Sequence, residues 1–364
     1  MLTPVLNNKE FVELMKTIQQ SKRIVVCAHR GPDGDAVGSS LGWAEYLKSL
    51  GKQVTVVLPN PFPDFLRWLP NSHLIQFYAR HEAVATRIIN EADLIFCLDF
   101  NGLSRLQEME GAVARAKADR IIIDHHLNPD THVAKMVISY PDMCSTSELV
   151  FRLILQLGGF EDMTQSMATC IYTGMMTDTG GFTYNSTQPE IFFIISQLLT
   201  KGIDKDRIYR NVFNNFSQWA IRLRGYLMSQ KLNVFSDLHA SYFTISRRDM
   251  RDFHFIKGDA EGLVNEPLRI KGMKLSVSLR EDDRRDNLVW VSLRSLGNFP
   301  CNKMAEDFFN GGGHLNASGG RLNCSLAEAE KVVREAFAYY EGALTGWGPL
   351  PKSRKEQVEN DNNK

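Results

Sequence analysis

The chain has 364 residues, 43% hydrophobic and 23% charged, with Lys+Arg and Asp+Glu balanced at 42 each. That length buries a substantial core and suggests two domains, while the even charge leaves no global basic field to hold a long duplex. The six cysteines include no C-x-x-C pair, no apolar run approaches the ~18 residues that span a bilayer, and no basic segment precedes an apolar core at the start. The expectation is a reduced, cytoplasmic, soluble protein with no membrane partner and no disulfide or zinc-knuckle framework.

In chain order, residues 8–20 read as an amphipathic helix with Phe11, Leu14, Met15 and Ile18 on one face. Residues 23–29 form a short, almost wholly apolar strand, the pattern of a parallel strand covered on both sides. A helix over 36–50 with Gly51 as its C-terminal stop, a strand over 53–58, and strands over 93–99 and 120–124 follow. Strands spaced by helices imply βαβ crossovers and a parallel sheet. The spacing then predicts helices after the Ser145–Glu148 capping box and over 162–176, 188–200, 204–214 and 217–230. Alternating half-exposed strands come next, around 241–246, 274–280 and 288–294, the last two joined as a hairpin through the charged 281–286. A capping box at Ser325–Glu328 opens a long helix to about residue 342.

The fold class expected is α/β: an N-terminal parallel sheet with flanking helices, a helical linker and a smaller C-terminal mixed α+β domain. The boundaries fall at 1–190, 191–240 and 241–346, with 347–364 a polar tail expected to be disordered.

Strand ends and loop starts carry the chemistry. The first strand runs into His29-Arg-Gly-Pro-Asp33-Gly-Asp35, the third ends in Asp99 and the fourth in Asp124-His125-His126; a later segment supplies Asp178 in Asp-Thr-Gly-Gly. Ligands of open α/β sheets bind outside the carboxyl ends of the strands, so three independent strands bring these residues to one edge. Five crowded carboxylates would be driven toward protonation, and two divalent cations relieve that. Asp and His without thiolate suit Mn²⁺ best, with Mg²⁺, Co²⁺ or Fe²⁺ as the alternatives. Two such metals hold a bridging hydroxide and clamp an in-line displacement at phosphorus. Each residue alone is an ordinary strand-end group; in this order and company they point to metal-assisted phosphoester hydrolysis.

With these motifs the chain resembles the DHH phosphoesterase superfamily, named for the Asp-His-His at 124–126. Gly311-Gly-Gly-His-Leu-Asn-Ala-Ser-Gly-Gly320 resembles the signature of its companion DHHA1 domain, and the resemblance covers about residues 8–345. The two-domain layout is similar to the NrnA-like oligoribonuclease/pAp-phosphatase branch. The resemblance implies that His29, Asp33 and Asp99 hold one metal and Asp35, Asp99, His125 and Asp178 the other, with Asp99 bridging. It implies that His126 contacts the scissile phosphate and protonates the leaving oxygen, and that Asp124 orients a histidine from behind. In the second domain it implies substrate contacts from Arg294, His314, Gly312, Gly313, Asn316 and Ser318.

The activity implied is Mn-dependent release of nucleoside monophosphates from short RNA or DNA oligonucleotides (nanoRNA) and of AMP from 3′,5′-bisphosphorylated adenosine (pAp). A soluble cyclic di-AMP or linear pApA phosphodiesterase is the nearest alternative, then a RecJ-like single-strand exonuclease, which usually needs an extra domain, and last an inactive nucleotide-binding scaffold. A dimer is compatible with all of these.

Overall fold

The computed structural model describes residues 2–256, 258–260 and 262–351. Residues 352–364, most of the tail expected to be disordered, lie outside the described residues. The chain divides into two compact units, with the boundary between Asn215 and Phe216.

The first unit runs α1 (Asn8–Gln20), β1 (Arg23–Ala28), α2 (Gly34–Ser49), β2 (Gln53–Leu58), β3 (Gln76–Phe77), α3 (Glu82–Asn90), β4 (Leu94–Leu98), α4 (Glu110–Arg115), β5 (Asp119–Asp124), β6 (Met136–Ser139), α5 (Thr146–Gln156), α6 (Gln165–Asp178), α7 (Pro189–Thr200) and α8 (Lys205–Phe213). Its sheet is six-stranded in the order β3-β2-β1-β4-β5-β6, and every neighbouring pair is parallel. Both faces are covered, which explains the unbroken apolar runs. Ile24, Val26 and Ala28 of β1 face a core shared with α2, α5 and α6, while Val25 and Cys27 face a second core with α3 and α4. The short strands β3 and β6 at the two edges carry too little pattern to stand out in the sequence.

Helices α2 and α6 pack with almost no side chain between them. A Cβ added at Gly38 would lie 2.5 Å from the Cys170 carbonyl oxygen and 2.9 Å from the Gly174 nitrogen. These are backbone atoms, so nothing yields without separating the helices. Gly38→Ala is therefore expected to destabilise by ~1–3 kcal/mol, as over-packing does, read as a lowered urea midpoint at an unchanged m-value.

The segment expected as a helical linker is shared between the units. Ile191, Ile194 and Leu198 of α7 and Ile208 and Val212 of α8 are buried in the first core. Leu223 and Leu227 instead join a cluster of the second unit. Apolar faces this complete need a core, and each helix takes the nearer one.

The second unit contains α9 (Gln218–Tyr226), β7 (Asn233–Phe235), β8 (Ala240–Ile245), α10 (Arg247–Asp252), β9 (Leu275–Glu281), β10 (Val289–Ser295), α11 (Cys301–Phe308), β11 (Gly312–His314), β12 (Ala317–Leu322), α12 (Leu326–Tyr339) and α13 (Glu341–Thr345). Its six strands are ordered β11-β12-β10-β9-β8-β7, with β8 and β9 parallel and the other pairs antiparallel. One face packs on α11 and α12. The predicted β9–β10 hairpin is present. The Gly-rich 311–320 stretch forms the β11–β12 hairpin. Its glycines allow close backbone packing: a Cβ on Gly311 would lie 1.9 Å from the Gly319 oxygen, and one on Gly320 2.3 Å from the Phe309 oxygen. Among the described residues no helix is long and apolar enough to cross a membrane.

Candidate metal centre

The strand order places a topological switch between β1 and β4, because the chain leaves β1 toward β2 and β3 but leaves β4 toward β5 and β6. The loops diverge there and open a crevice at the carboxyl ends of the strands. His29 follows β1 and Asp99 follows β4, so the two residues border that crevice. Asp33 caps the N-terminus of α2, its Oδ1 accepting from the amides of Asp35 (3.1 Å) and Ala36 (3.0 Å), and Asp35 sits in the first turn. The Asp-His-His stretch leaves β5, and Asp178 is the last residue of α6.

Asp99 is the hub. It has φ 63°, a left-handed conformation that Asp tolerates better than most side chains and that turns the chain abruptly out of β4. Its amide still donates to the Ile123 carbonyl (3.0 Å), so the turn costs no ladder bond. The carboxylate is 2% exposed; Oδ2 lies 3.5 Å from His29 Nε2, and Oδ1 lies 3.7 Å from His125 Nε2. His29 Nε2 is also 3.9 Å from Asp33 Oδ2, while His125 Nε2 is 3.9 Å from Asp35 Oδ2 and 3.4 Å from Asp178 Oδ2. Two donor sets result, His29–Asp33–Asp99 and Asp35–Asp99–His125, each with ligand atoms within 4.8 Å of one another, and Asp99 belongs to both. The first six candidate ligands are therefore brought together.

Backbone carbonyls hold the imidazoles in a ligand-ready orientation. His29 Nδ1–H donates to the Arg30 carbonyl (3.0 Å) and His125 Nδ1–H to the Met143 carbonyl (3.2 Å), leaving each Nε2 turned toward carboxylates. Burial pushes His29 down, but the bond to Asp99 and the charges of Asp33 and Asp99 outweigh it and lift its pKa to about 9. Burial likewise opposes the His125 charge, and Asp99, Asp35 and Asp124 raise its pKa over that opposition. Asp99 is held well below the usual carboxylate range by its histidine neighbours, against the effect of burial. Asp35 is pushed up by burial and by Asp99 and Asp178. Cations would satisfy the same anionic field that otherwise retains protons.

Asp124 and His126 form a separate pair. His126 Nδ1–H donates to Asp124 Oδ1 at 2.7 Å, so the histidine that Asp124 orients is His126. Asp124 is fully buried, and its Oδ2 has no hydrogen-bond partner among the described residues. An orphaned buried carboxylate oxygen beside Asp99 and His126 fits an electropositive neighbour.

The N-terminus of α5 is the part that sequence reasoning missed. The amides of Thr146 and Ser147 donate to Asp35 Oδ2 (2.7 Å) and Oδ1 (2.9 Å), and the Thr146 hydroxyl donates to Asp99 Oδ1 (3.0 Å). The signal was the Ser145–Glu148 capping box, which marks a helix start with unpaired N–H groups that bind anions. What those groups face depends on the packing of α5 against α2 and β5, which is not local information.

In the second unit, Arg294 and His314 each pair with Ala317, one from β10 and the other from β11, so they flank it on one cross-strand row. Gly312 and Gly313 precede His314 on β11. Asn316 and Ser318 are engaged inside the unit. Asn316 Nδ2 donates to Ser295 Oγ (2.8 Å) and the Gly297 carbonyl (2.9 Å), and the buried Ser318 hydroxyl donates to the His314 carbonyl (2.9 Å). Their polar atoms hold the hairpin and its neighbouring turn.

Residues 23–175 match the DHH family, N-terminal domain. The chain is 31% identical over 336 residues to the bifunctional oligoribonuclease and PAP phosphatase NrnA of Thermus thermophilus, covering 89% of this chain and 91% of that protein. It is 27% identical over 340 residues to the cyclic-di-AMP phosphodiesterase PdeA of Listeria monocytogenes, covering 90% of this chain but 49% of PdeA. Among solved structures it is similar to an exopolyphosphatase-related protein from Bacteroides fragilis, 49% identical with a TM-score of 0.91 over 94% of this chain and 99% of that one.

Proposed function

The chain belongs to the DHH family, and on that premise we propose that it is a Mn-dependent phosphoesterase that hydrolyses short oligonucleotides to nucleoside monophosphates and pAp to AMP. The observation that carries the reading is the pair of carboxylate–histidine sets joined at Asp99 beside the Asp124–His126 pair. His29, Asp33 and Asp99 would hold one divalent cation, and Asp35, Asp99, His125 and Asp178 the other. When bound, such a pair supplies Lewis acidity at phosphorus and a nucleophile at neutral pH.

The chain's own residues do the rest. Thr146 and Ser147 fix the Asp35 and Asp99 carboxylates so that ligand geometry is set before any cation arrives. Asp124 holds the His126 ring through Nδ1–H and fixes its orientation, which suits His126 to exchange a proton with a leaving oxygen through Nε2. Arg294 and His314, on one row of the second sheet, are the proposed grip on a substrate phosphate.

The similarity to PdeA favours one second reading, hydrolysis of cyclic di-AMP or linear pApA. Purified protein with Mn²⁺, Mg²⁺ or Co²⁺ assayed against pAp, RNA of two to five nucleotides, pApA, cyclic di-AMP and inorganic polyphosphate decides between them. The proposal expects the highest kcat/KM on pAp and short RNA with Mn²⁺; a preference for either dinucleotide, or for polyphosphate, would replace it. Arg294→Ala is expected to raise KM for the preferred substrate by about tenfold or more while kcat changes less, since it grips substrate rather than acting at the reacting atoms.

A further inference from the structure

On the face opposite α11 and α12 the second unit's sheet is covered over β8 by a small cluster, and residues 263–269 lie against β9 and β10. Phe243 and Ile245 of β8 lie under a small cluster with Leu223, Leu227, Met250 and Leu263. Farther along, Val289, Val291 and Leu293 of β10 point into the main core, so Trp290, Ser292 and Arg294 point the other way. There the floor is made of residues with little or no side chain. Gly312, Gly319, Ser292 and Ser278 are successive partners on one cross-strand row. A Cβ at Gly312 would meet nothing within 4 Å, and its φ is not in the left-handed region, so neither packing nor backbone conformation requires glycine there. The missing side chain keeps space open over the sheet.

One end of this bare strip carries Arg294 and His314. The other carries Arg280, the direct partner of Trp290 across β9 and β10. Arg280 is half-buried, with its guanidinium 5.6 Å from the centre of the Phe255 ring. Among the described residues it makes no hydrogen bond or ion pair within the chain. The acid beside it is already engaged: Asp282 Oδ2 accepts from Trp290 Nε1 (2.8 Å) and Arg285 (3.1 Å), and its Oδ1 from the amides of Arg284 and Arg285. Asp283 and Asp282 attract the guanidinium through space but accept no hydrogen bond from it among the described residues, so its five donors remain for an arriving anion.

We propose that Arg280 is a second anion subsite on this face, taking a backbone phosphate of an oligonucleotide whose end is gripped at Arg294. The inference rests on the oligonucleotide reading above and deepens it. Arg294 pairs with Ser276, four residues along β9 from Arg280, so the two rows stand roughly 13 Å apart. That distance is about four steps of a stacked single strand and fewer of an extended one. Trp290, tied to Asp282, walls the subsite. Mononucleotides and dinucleotides reach Arg294 alone; chains of four or five nucleotides reach both.

The test compares Arg280→Gln and Arg280→Lys with the wild-type full chain. With Mn²⁺, Arg280→Gln is expected to raise KM for a pentanucleotide about tenfold with kcat unchanged, and to leave both constants for pAp unchanged. Arg280→Lys restores most of the loss, because a phosphate accepts a point charge. In EDTA, anisotropy of a fluorescein-labelled phosphorothioate pentanucleotide should show the slope of log K against log salt reduced by about 0.7 in Arg280→Gln. An unchanged pentanucleotide KM and salt slope would overturn the subsite, as would an equal KM rise for pAp, which would mark Arg280 as a structural support. If the wild type hydrolyses neither substrate, the activity reading falls and the EDTA binding arm decides the subsite by itself.

Discussion

Asp99→Asn is expected to lower kcat/KM by at least about 10³-fold, which corresponds to about 4 kcal/mol of lost transition-state stabilisation. Asn is the informative replacement because it keeps the size of Asp and tolerates φ 63°, so the turn out of β4 survives and loss of activity is not loss of fold. The Thr146 hydroxyl can still donate to an amide oxygen at the Oδ1 position. What disappears is the negative charge that stands 3.5 Å from His29 and 3.7 Å from His125. Calorimetric Mn²⁺ titration should show weaker binding of both cations together, since both proposed sets use this one carboxylate. Wild-type activity in the variant, or loss of a single cation with the other unaffected, would refute the shared-ligand assignment.

The same variant carries a pH signature in EDTA. A histidine whose folded pKa is raised from 6.5 to about 9 contributes stability that is fully present below 6.5 and is lost as pH rises through 9. Burial opposes that charge, and Asp99 is foremost among the groups that overcome it. The metal-free wild type should therefore lose stability between pH 6.5 and 9, and Asp99→Asn should show a shallower loss over that range. Urea midpoints measured at several pH values read the slope directly.

Arg152→Met is expected to destabilise the first unit by about 3–5 kcal/mol. Glu148 and Arg152 are a buried pair one turn apart on α5, with Glu148 Oε1 accepting from Arg152 Nε at 2.9 Å and from its terminal nitrogen at 2.7 Å; their side chains are 2% and 7% exposed. Removing the cation leaves a carboxylate in the core whose remaining donors among the described residues are the amide (2.9 Å) and thiol of Cys144. The double variant Glu148→Met/Arg152→Met should cost less than Arg152→Met alone, because it removes the stranded charge along with its partner. Thermal melts of the wild type, single and double variants check both statements. A double variant no more stable than Arg152→Met would show that the Cys144 contact, not the ion pair, dominates.

Much of the molecule was legible in the chain. Apolar runs such as Ile24–Ala28 and Ile121–Ile123 can only be strands covered on both faces, so a parallel sheet followed, and the residues beginning at His29, Asp99 and Asp124 had to emerge at one edge of it. N-cap serines and helical periodicity placed α5 and α12 with little error, because both signals lie within a few residues of the ends they mark; the capping box closes at α12, whereas Glu148 of α5 turns its carboxylate to the Cys144 amide and Arg152. Asp, His and Gly at those spacings named the chemistry before any distance was known.

The tertiary structure decided what local pattern cannot carry. That α7 and α8 belong to the first core and α9 to the second depends on which apolar face lies nearest in space. The glycine-rich 311–320 stretch reads locally as a loop, yet it forms a hairpin because Gly311 and Gly320 let backbones approach where any side chain would collide. Thr146 and Ser147 became supports of Asp35 and Asp99 only once α5 packed across more than a hundred residues of chain separation from Asp35. Sequence determines which groups can ionise, bend or cap. Their energies depend on the burial and neighbours that packing supplies, and only the folded chain sets those.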